Sequence, residues 1–187
     1  MKKSTLLCAT TNAEKFALGQ AAFAGHGITL EQVLVDIDEI QGEDADMILH
    51  DKAKKAFAAI GKPVLVTDDS WSVPALGGFP GPYMKSMNHW FTPEDFMALM
   101  HDKADRTVYL EQHIAYIDAD EIVTFSKRIK GVFVAEPRGY TGPPIIRVVE
   151  LEGDGMTIAE LYDKGSIQGH GMQPDAWNDA ADWYASH

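Results

Sequence analysis

Cysteine is nearly missing from this chain of 187 residues. Cys8 is the single one, so no internal disulfide can form, and no paired Cys/His spacing suggests zinc. It sits in the run Leu6-Leu7-Cys8-Ala9 and reads as a small core residue. Long apolar runs are lacking too, and nothing approaches the length of a membrane span. Met1-Lys2-Lys3 and the short apolar stretch after it do not make a signal peptide, because Asn12, Glu14 and Lys15 follow at once. A cytoplasmic protein is the resulting expectation. Positive charge is scarce: 16 Lys and Arg stand against 28 Asp and Glu, a formal net charge of -12. That argues against a nucleic-acid backbone or an anionic membrane as main partner, since both attract basic surfaces. It leaves room for a polyphosphate ligand, which a few lysines, backbone N–H groups and a divalent cation can hold.

What is present is ordinary globular composition, 45% apolar and 24% charged, enough for one domain with a substantial core. Ser4 to Ala9 reads as a buried strand, and Thr10-Thr11-Asn12 opens a helix over Ala13 to Ala24. Ile28 to Ile37 is a second strand candidate. A helix over Ala45 to Ile60 places Leu49, Ala53, Ala56, Phe57 and Ile60 on one stripe. Val64-Leu65-Val66 is a short strand running into Asp68-Asp69-Ser70. Alternating strands and helices predict an α/β domain with some parallel pairing. Further on, Ala75 to Pro82 reads as a Gly/Pro-rich loop, and a capped helix runs from Thr92 to His101. Arg106 to Ile117 and Glu121 to Val134 form a hairpin. Ile145 to Leu151 is another strand candidate, and Pro174 to Tyr184 a closing helix. With no repeat or linker, the expected architecture is one mixed α/β domain over residues 1–187. It would have two lobes, a long mixed sheet, flanking helices and a central cleft.

Four constellations could carry chemistry. Thr10-Thr11-Asn12-Ala13-Glu14-Lys15 turns from strand to helix, where N–H groups and Lys15 attract phosphate; a plain helix cap with a surface lysine is the commoner meaning of such a segment. Asp36, Asp38, Glu39, Glu43, Asp44 and Asp46 include potential magnesium ligands, although most are expected to be a solvated acidic loop. Lys52 lies beside the apolar stripe of the next helix, aimed into a cleft or snorkelling at the core's rim. Adjacent acids at Asp68-Asp69 repel unless they share a cation or a proton, so metal binding, general-base work and a simple turn all remain open. Finally, Ala75 to Tyr83 holds three glycines and two prolines in an unusual backbone path, followed by Lys85.

Together and in this order, these segments resemble the inosine/xanthosine triphosphate pyrophosphatase (Ham1-like) family. Its Thr-Gly-Asn-x-x-Lys is matched by Thr10 to Lys15, its Gln-Gly-Glu by Gln41-Gly42-Glu43, and its helix lysine by Lys52. Its strand and acidic turn are matched by Pro63 to Ser70, and Ala75 to Tyr83 is the most specific match. The departures are Thr11 in place of a glycine and Gly139-Tyr140-Thr141-Gly142-Pro143-Pro144 in place of Phe-Gly-(Tyr/Trp)-Asp-Pro. The late Ser-His-Arg is reduced to Gly169-His170-Gly171. In the family the last two segments read the purine base.

The resemblance implies magnesium-dependent hydrolysis of a nucleoside triphosphate, with non-canonical purines such as ITP, dITP and XTP as expected substrates. Products are the monophosphate and pyrophosphate. It implies Glu43 and Asp68 as metal ligands, Asp69 as second ligand or water-orienting base, and Lys52 in the catalytic set. Thr10, Asn12, Lys15, Lys52, Ser70, Lys85, Lys164 and His170 would contact substrate. A homodimer is implied as well. The alternatives are the same chemistry on another nucleotide, or a nucleotide-binding homologue with little catalysis. With the late arginine gone, ITP should be separated from ATP and GTP less sharply than by the full motif, unless Arg138 or Arg147 swings in as a substitute donor.

Overall fold

β1 (Thr5–Ala9) pairs in parallel with β2 (Thr29–Val33) on one side and with β3 (Val64–Ser72) on the other. These strands belong to a mixed sheet in the order β2-β1-β3-β5-β6-β7, with β4 (Pro80–Gly81) antiparallel to the end of β3. β5 is Thr107–Ile117 and β6 is Ile122–Phe133, joined by a tight turn in which Asp118 N–H donates to the Glu121 carbonyl. β7 (Val149–Leu151) runs antiparallel to Gly131–Phe133. The computed structural model describes residues 5–152, 155–166 and 175–187. It confirms a mixed α/β fold.

The chain divides into two compact units. The first comprises residues 1–69, 112–127 and 174–187. Its sheet is apolar on both faces, which explains the unbroken Val64-Leu65-Val66 run. On one face Leu6, Cys8, Leu30 and Leu65 pack with Phe23 of α1 (Ala13–Ala24) and Trp177 of α6 (Ala176–Ser186). Burial there pushes the Cys8 thiol up to about 12, as suits an inert core residue. On the other face Ala9, Val64 and Val66 meet Leu49, Ala53 and Ala56 of α2 (Ala45–Ile60). Asn12, Asp44 and Asp175 cap the three helices through their side-chain oxygens.

The second unit comprises residues 70–111 and 128–173. Trp71, Phe96, Met100, Val108, Leu110, Ile129, Phe133, Ile145 and Leu151 are central to its core. α3 (Met84–Trp90), α4 (Pro93–Leu99) and α5 (Ile158–Asp163) belong to it. Thr92 with Asp95 and Thr157 with Glu160 form reciprocal capping boxes at α4 and α5.

Several expectations are corrected. The Ile28 to Ile37 strand is only β2, because β1 offers five partners, from Thr5↔Thr29 to Ala9↔Val33, before the chain turns into α1. Asp68-Asp69-Ser70 is not a turn: it lies inside β3, which continues to Ser72. Pro144–Arg147 forms a 3-10 turn rather than strand, leaving three residues for β7. The Gly/Pro stretch contains a 3-10 turn at Pro74–Leu76 and the short β4, and the helix after Thr92 stops at Leu99. α3 and α5 were not anticipated as helices. Among the described residues no helix is long and apolar enough to cross a membrane.

Candidate active site

In the first unit the turn after β1 is built by side chains. Thr10 Oγ1 accepts from the Asn12 N–H at 3.2 Å, and Asn12 Oδ1 accepts from the N–H groups of Glu14 (2.9 Å) and Lys15 (3.0 Å). No described non-glycine residue has positive φ, so Thr11 needs no left-handed backbone and a β-branched residue is tolerated there. Lys15, in the first turn of α1, reaches back to β3: its Nζ lies 3.1 Å from Asp69 Oδ2. Both side chains keep some exposure, 20% and 25%, so a ligand can reach them. Asp68 Oδ1 accepts from the Asp69 N–H at 3.0 Å, which fixes one carboxylate oxygen along the strand.

α2 contributes Lys52, whose Nζ pairs with Glu39 Oε1 at 2.6 Å. Glu39 comes from the acidic stretch, and its pairing to Lys52 was not anticipated. The other acids there divide by role. Asp44 accepts from the Met47 N–H at 3.0 Å as the cap of α2, and the Asp38 carbonyl accepts from Lys55 Nζ. Asp46 lies 3.6 Å from His113 Nδ1. Glu43 is exposed immediately before the cap. Among the described residues, no three Asp, Glu, His or Cys side chains gather as a metal cluster.

In the second unit, Ser70 is buried and its hydroxyl donates to Glu111 Oε2 at 3.1 Å. Glu111 Oε1 lies 3.1 Å from Arg128 Nε, and the Arg128 guanidinium covers the Tyr109 ring at 3.7 Å. None of these three partners was singled out from the sequence, because they are far from Ser70 along the chain and carry no motif. Lys85 is exposed in the first turn of α3. Lys164 is the C-cap of α5, with Nζ 2.9 Å from Met156 Sδ. His170 lies outside the described residues.

The segment after Arg138 is braced from below. Asp163 accepts from the N–H groups of Tyr140 (2.9 Å) and Thr141 (3.0 Å). Hydrogen bonding from Thr141, then from Tyr140, holds the Asp163 carboxyl below the usual range. Tyr140 itself stands out, 89% exposed. Arg147 Nε donates to the Gly139 carbonyl at 2.9 Å, and Arg138 pairs with Glu150 at 3.0 Å and approaches Glu160 at 3.5 Å. The two arginines considered as substitute base donors are therefore engaged in holding this segment.

The chain is similar to known proteins over most of its length. Residues 6–168 match the model of the Ham1 family. An inosine triphosphate pyrophosphatase from Tuber melanosporum is 36% identical over 167 residues, covering 84% of each chain. A dITP/XTP pyrophosphatase from Methanopyrus kandleri is 31% identical over 157 residues, 83% of this chain and 84% of that one. Among solved structures, a HAM1 protein from Coxiella burnetii superposes with a TM-score of 0.78 at 19% identity, over 98% of this chain and 100% of the other. That last likeness concerns the fold.

Proposed function

Because the chain belongs to the Ham1 family, we propose that it is a nucleoside-triphosphate pyrophosphohydrolase acting with magnesium on non-canonical purine nucleotides such as ITP, dITP and XTP. The observation that carries this reading is the Lys15–Asp69 ion pair beside the Asn12-capped start of α1. It puts a cation and a carboxylate next to N–H groups suited to phosphate.

The donor set fits magnesium. Glu43, Asp68 and Asp69 offer only oxygen, and magnesium is commonly held by one or two carboxylates with substrate phosphates and water completing the shell. Glu43 and Asp68 would hold it, and when bound it would neutralise and polarise the phosphate oxygens. The chain's own groups do the rest. Thr10, Asn12 and the first N–H groups of α1 receive phosphate oxygens. Lys15 exchanges its Asp69 partner for phosphate, which releases Asp69 to orient the attacking water. Lys52, positioned by Glu39, adds charge where it develops on the leaving pyrophosphate. Water attacks the α-phosphorus and the bond to the bridging oxygen breaks, giving monophosphate and pyrophosphate. Ser70, Lys85, Lys164 and His170 complete the substrate contacts of this reading. A homodimer, a cytoplasmic location and the lack of nucleic-acid or membrane partners belong to it as well.

The test is pyrophosphate release from ITP, dITP, XTP, GTP, ATP and dUTP, with magnesium and with chelator. Expected are stoichiometric monophosphate and pyrophosphate, no turnover in chelator, and the fastest rates among the non-canonical purines. Orthophosphate from ITP without monophosphate overturns the reaction, and no turnover of any nucleotide favours the binding homologue.

A further inference from the structure

We propose that Gln32 is a positioning residue for the turn after β1: its side-chain amide holds the Thr10 carbonyl, so that the Thr11 N–H of the same peptide is presented to a phosphate oxygen of the substrate. This inference rests on the nucleotide-hydrolase reading above, and every residue in it belongs to the first unit. Among the described strands β2 lies at the edge of the sheet, and its pairing with β1 ends at Ala9↔Val33. The Thr10 carbonyl is the next one along, past the end of the strand. Gln32 Nε2 donates to it at 2.8 Å, from 22 positions away in the sequence. Gln32 is exposed and covers no core, so this hydrogen bond is its contribution to the structure. Only a donor serves there: a carboxylate of the same length would set its oxygens against the carbonyl.

The consequence follows from the planarity of the peptide. In a trans peptide the C=O and the N–H point opposite ways. The Thr10–Thr11 peptide is trans, so a carbonyl drawn to β2 turns the Thr11 N–H away from β2. β1 lies between β2 and β3, and β3 continues past Val66, its last β1 partner, into Asp68 and Asp69. Lys15 reaches Asp69 there, at 3.1 Å. The next N–H along the turn, that of Asn12, is taken by Thr10 Oγ1. The Thr11 N–H, by contrast, meets no acceptor among the described residues, and Thr11 is exposed, so a ligand can reach it. Gln32 thereby keeps an open donor still, in a turn that also carries Lys15. A donor fixed before the ligand arrives loses less freedom on binding than one that must be ordered. A hydrogen bond to a charged oxygen corresponds to about tenfold in affinity or more, and a misdirected peptide forfeits part of it.

The experiment compares the parent with Gln32→Leu, which keeps the bulk without the donor, and Gln32→Glu, which keeps the length. Three quantities are read: kcat and KM for ITP, equilibrium affinity for an ITP analogue with a methylene bridge between the α- and β-phosphates, and the NMR resonance of the Thr11 amide. In the parent the analogue should move that resonance downfield, as a new hydrogen bond to phosphate does. In both variants affinity is expected to fall about fivefold, with the loss appearing in KM rather than kcat and the Thr11 shift reduced. If Gln32→Leu does not fold, Gln32→Asn, too short to reach the carbonyl, takes its place. Affinities within twofold of the parent overturn the proposal, even where the variants melt earlier, because Gln32 is then a brace for the strand end alone. A Thr11 resonance that ignores the analogue in the parent overturns it as well. A parent that binds the analogue but hydrolyses nothing overturns the catalytic reading alone, and the affinities and the Thr11 shift then decide the role of Gln32.

Discussion

Lys15→Ala and Asp68→Asn should damage the same reaction in different ways, because Lys15 is paired in the free protein and Asp68 is not bound to any lysine described above. Removing Lys15 takes away the proposed phosphate contact and leaves Asp69 without its cation. Charged hydrogen bonds to phosphate are worth roughly 1.5–3 kcal/mol, so affinity for a non-hydrolysable triphosphate should fall about tenfold or more. Asp68→Asn should lower kcat by about a hundredfold or more, with circular dichroism unchanged. Tight binding by Lys15→Ala would make that lysine a surface residue, and parental rates from Asp68→Asn at saturating magnesium would move the metal elsewhere. At this scale the sequence was legible where the contacts are local. Asn12 and Lys15 sit three residues apart across a helix start, and the acids are adjacent. Glu39, Glu111 and Arg128 were not legible, since the contacts Lys52–Glu39 and Ser70–Glu111 join distant positions and one glutamate among many carries no mark.

Among the elements, β3 shows why patterns mislead. Two consecutive acids leave a turn open, yet the strand continues because Asp68 and Asp69 are only half-buried while Ser70 and Trp71 resume the buried run. β2 and β7 came out shorter than their apolar runs, because partner length and Pro143-Pro144 decide where pairing stops. The long helices α1 and α2 were read with correct bounds, since period and caps are local signals. The segment after Arg138 is set by packing instead. Gly139 has φ +79, and a Cβ there would lie 2.7 Å from the Glu160 backbone nitrogen. Gly165 has a similar φ of +81 with nothing within 4 Å. Both alanine variants meet backbone strain of about 1–3 kcal/mol. Gly139→Ala should lose more in a thermal melt than Gly165→Ala, and the difference isolates the close approach to α5. Equal losses would mean that α5 simply shifts away.

For the whole molecule, the consequential residue is Trp177. It is buried at 2%, and its ring lies so close to α1 that a Cβ on Gly19 would be 2.7 Å from Trp177 Cζ3. Trp177→Ala should therefore cost about 3–5 kcal/mol in urea denaturation, a large share of a domain's stability. A loss under 1 kcal/mol would show that the face of β1 is covered without it. The position of α6 along the chain gives this contact a meaning in time. Ribosomes make proteins from the N-terminus, so β1, α1 and β2 emerge early, and the 11 residues of α6 come after every other element. Until they arrive, Leu6, Phe23 and Leu30 lack their cover, and a nascent chain with bare apolar strands is open to aggregation and to chaperones. The segments of the second unit are all translated before that closure. Birth order thus assigns the two units different risks: the one bearing Lys15 and Asp69 is begun first and sealed last.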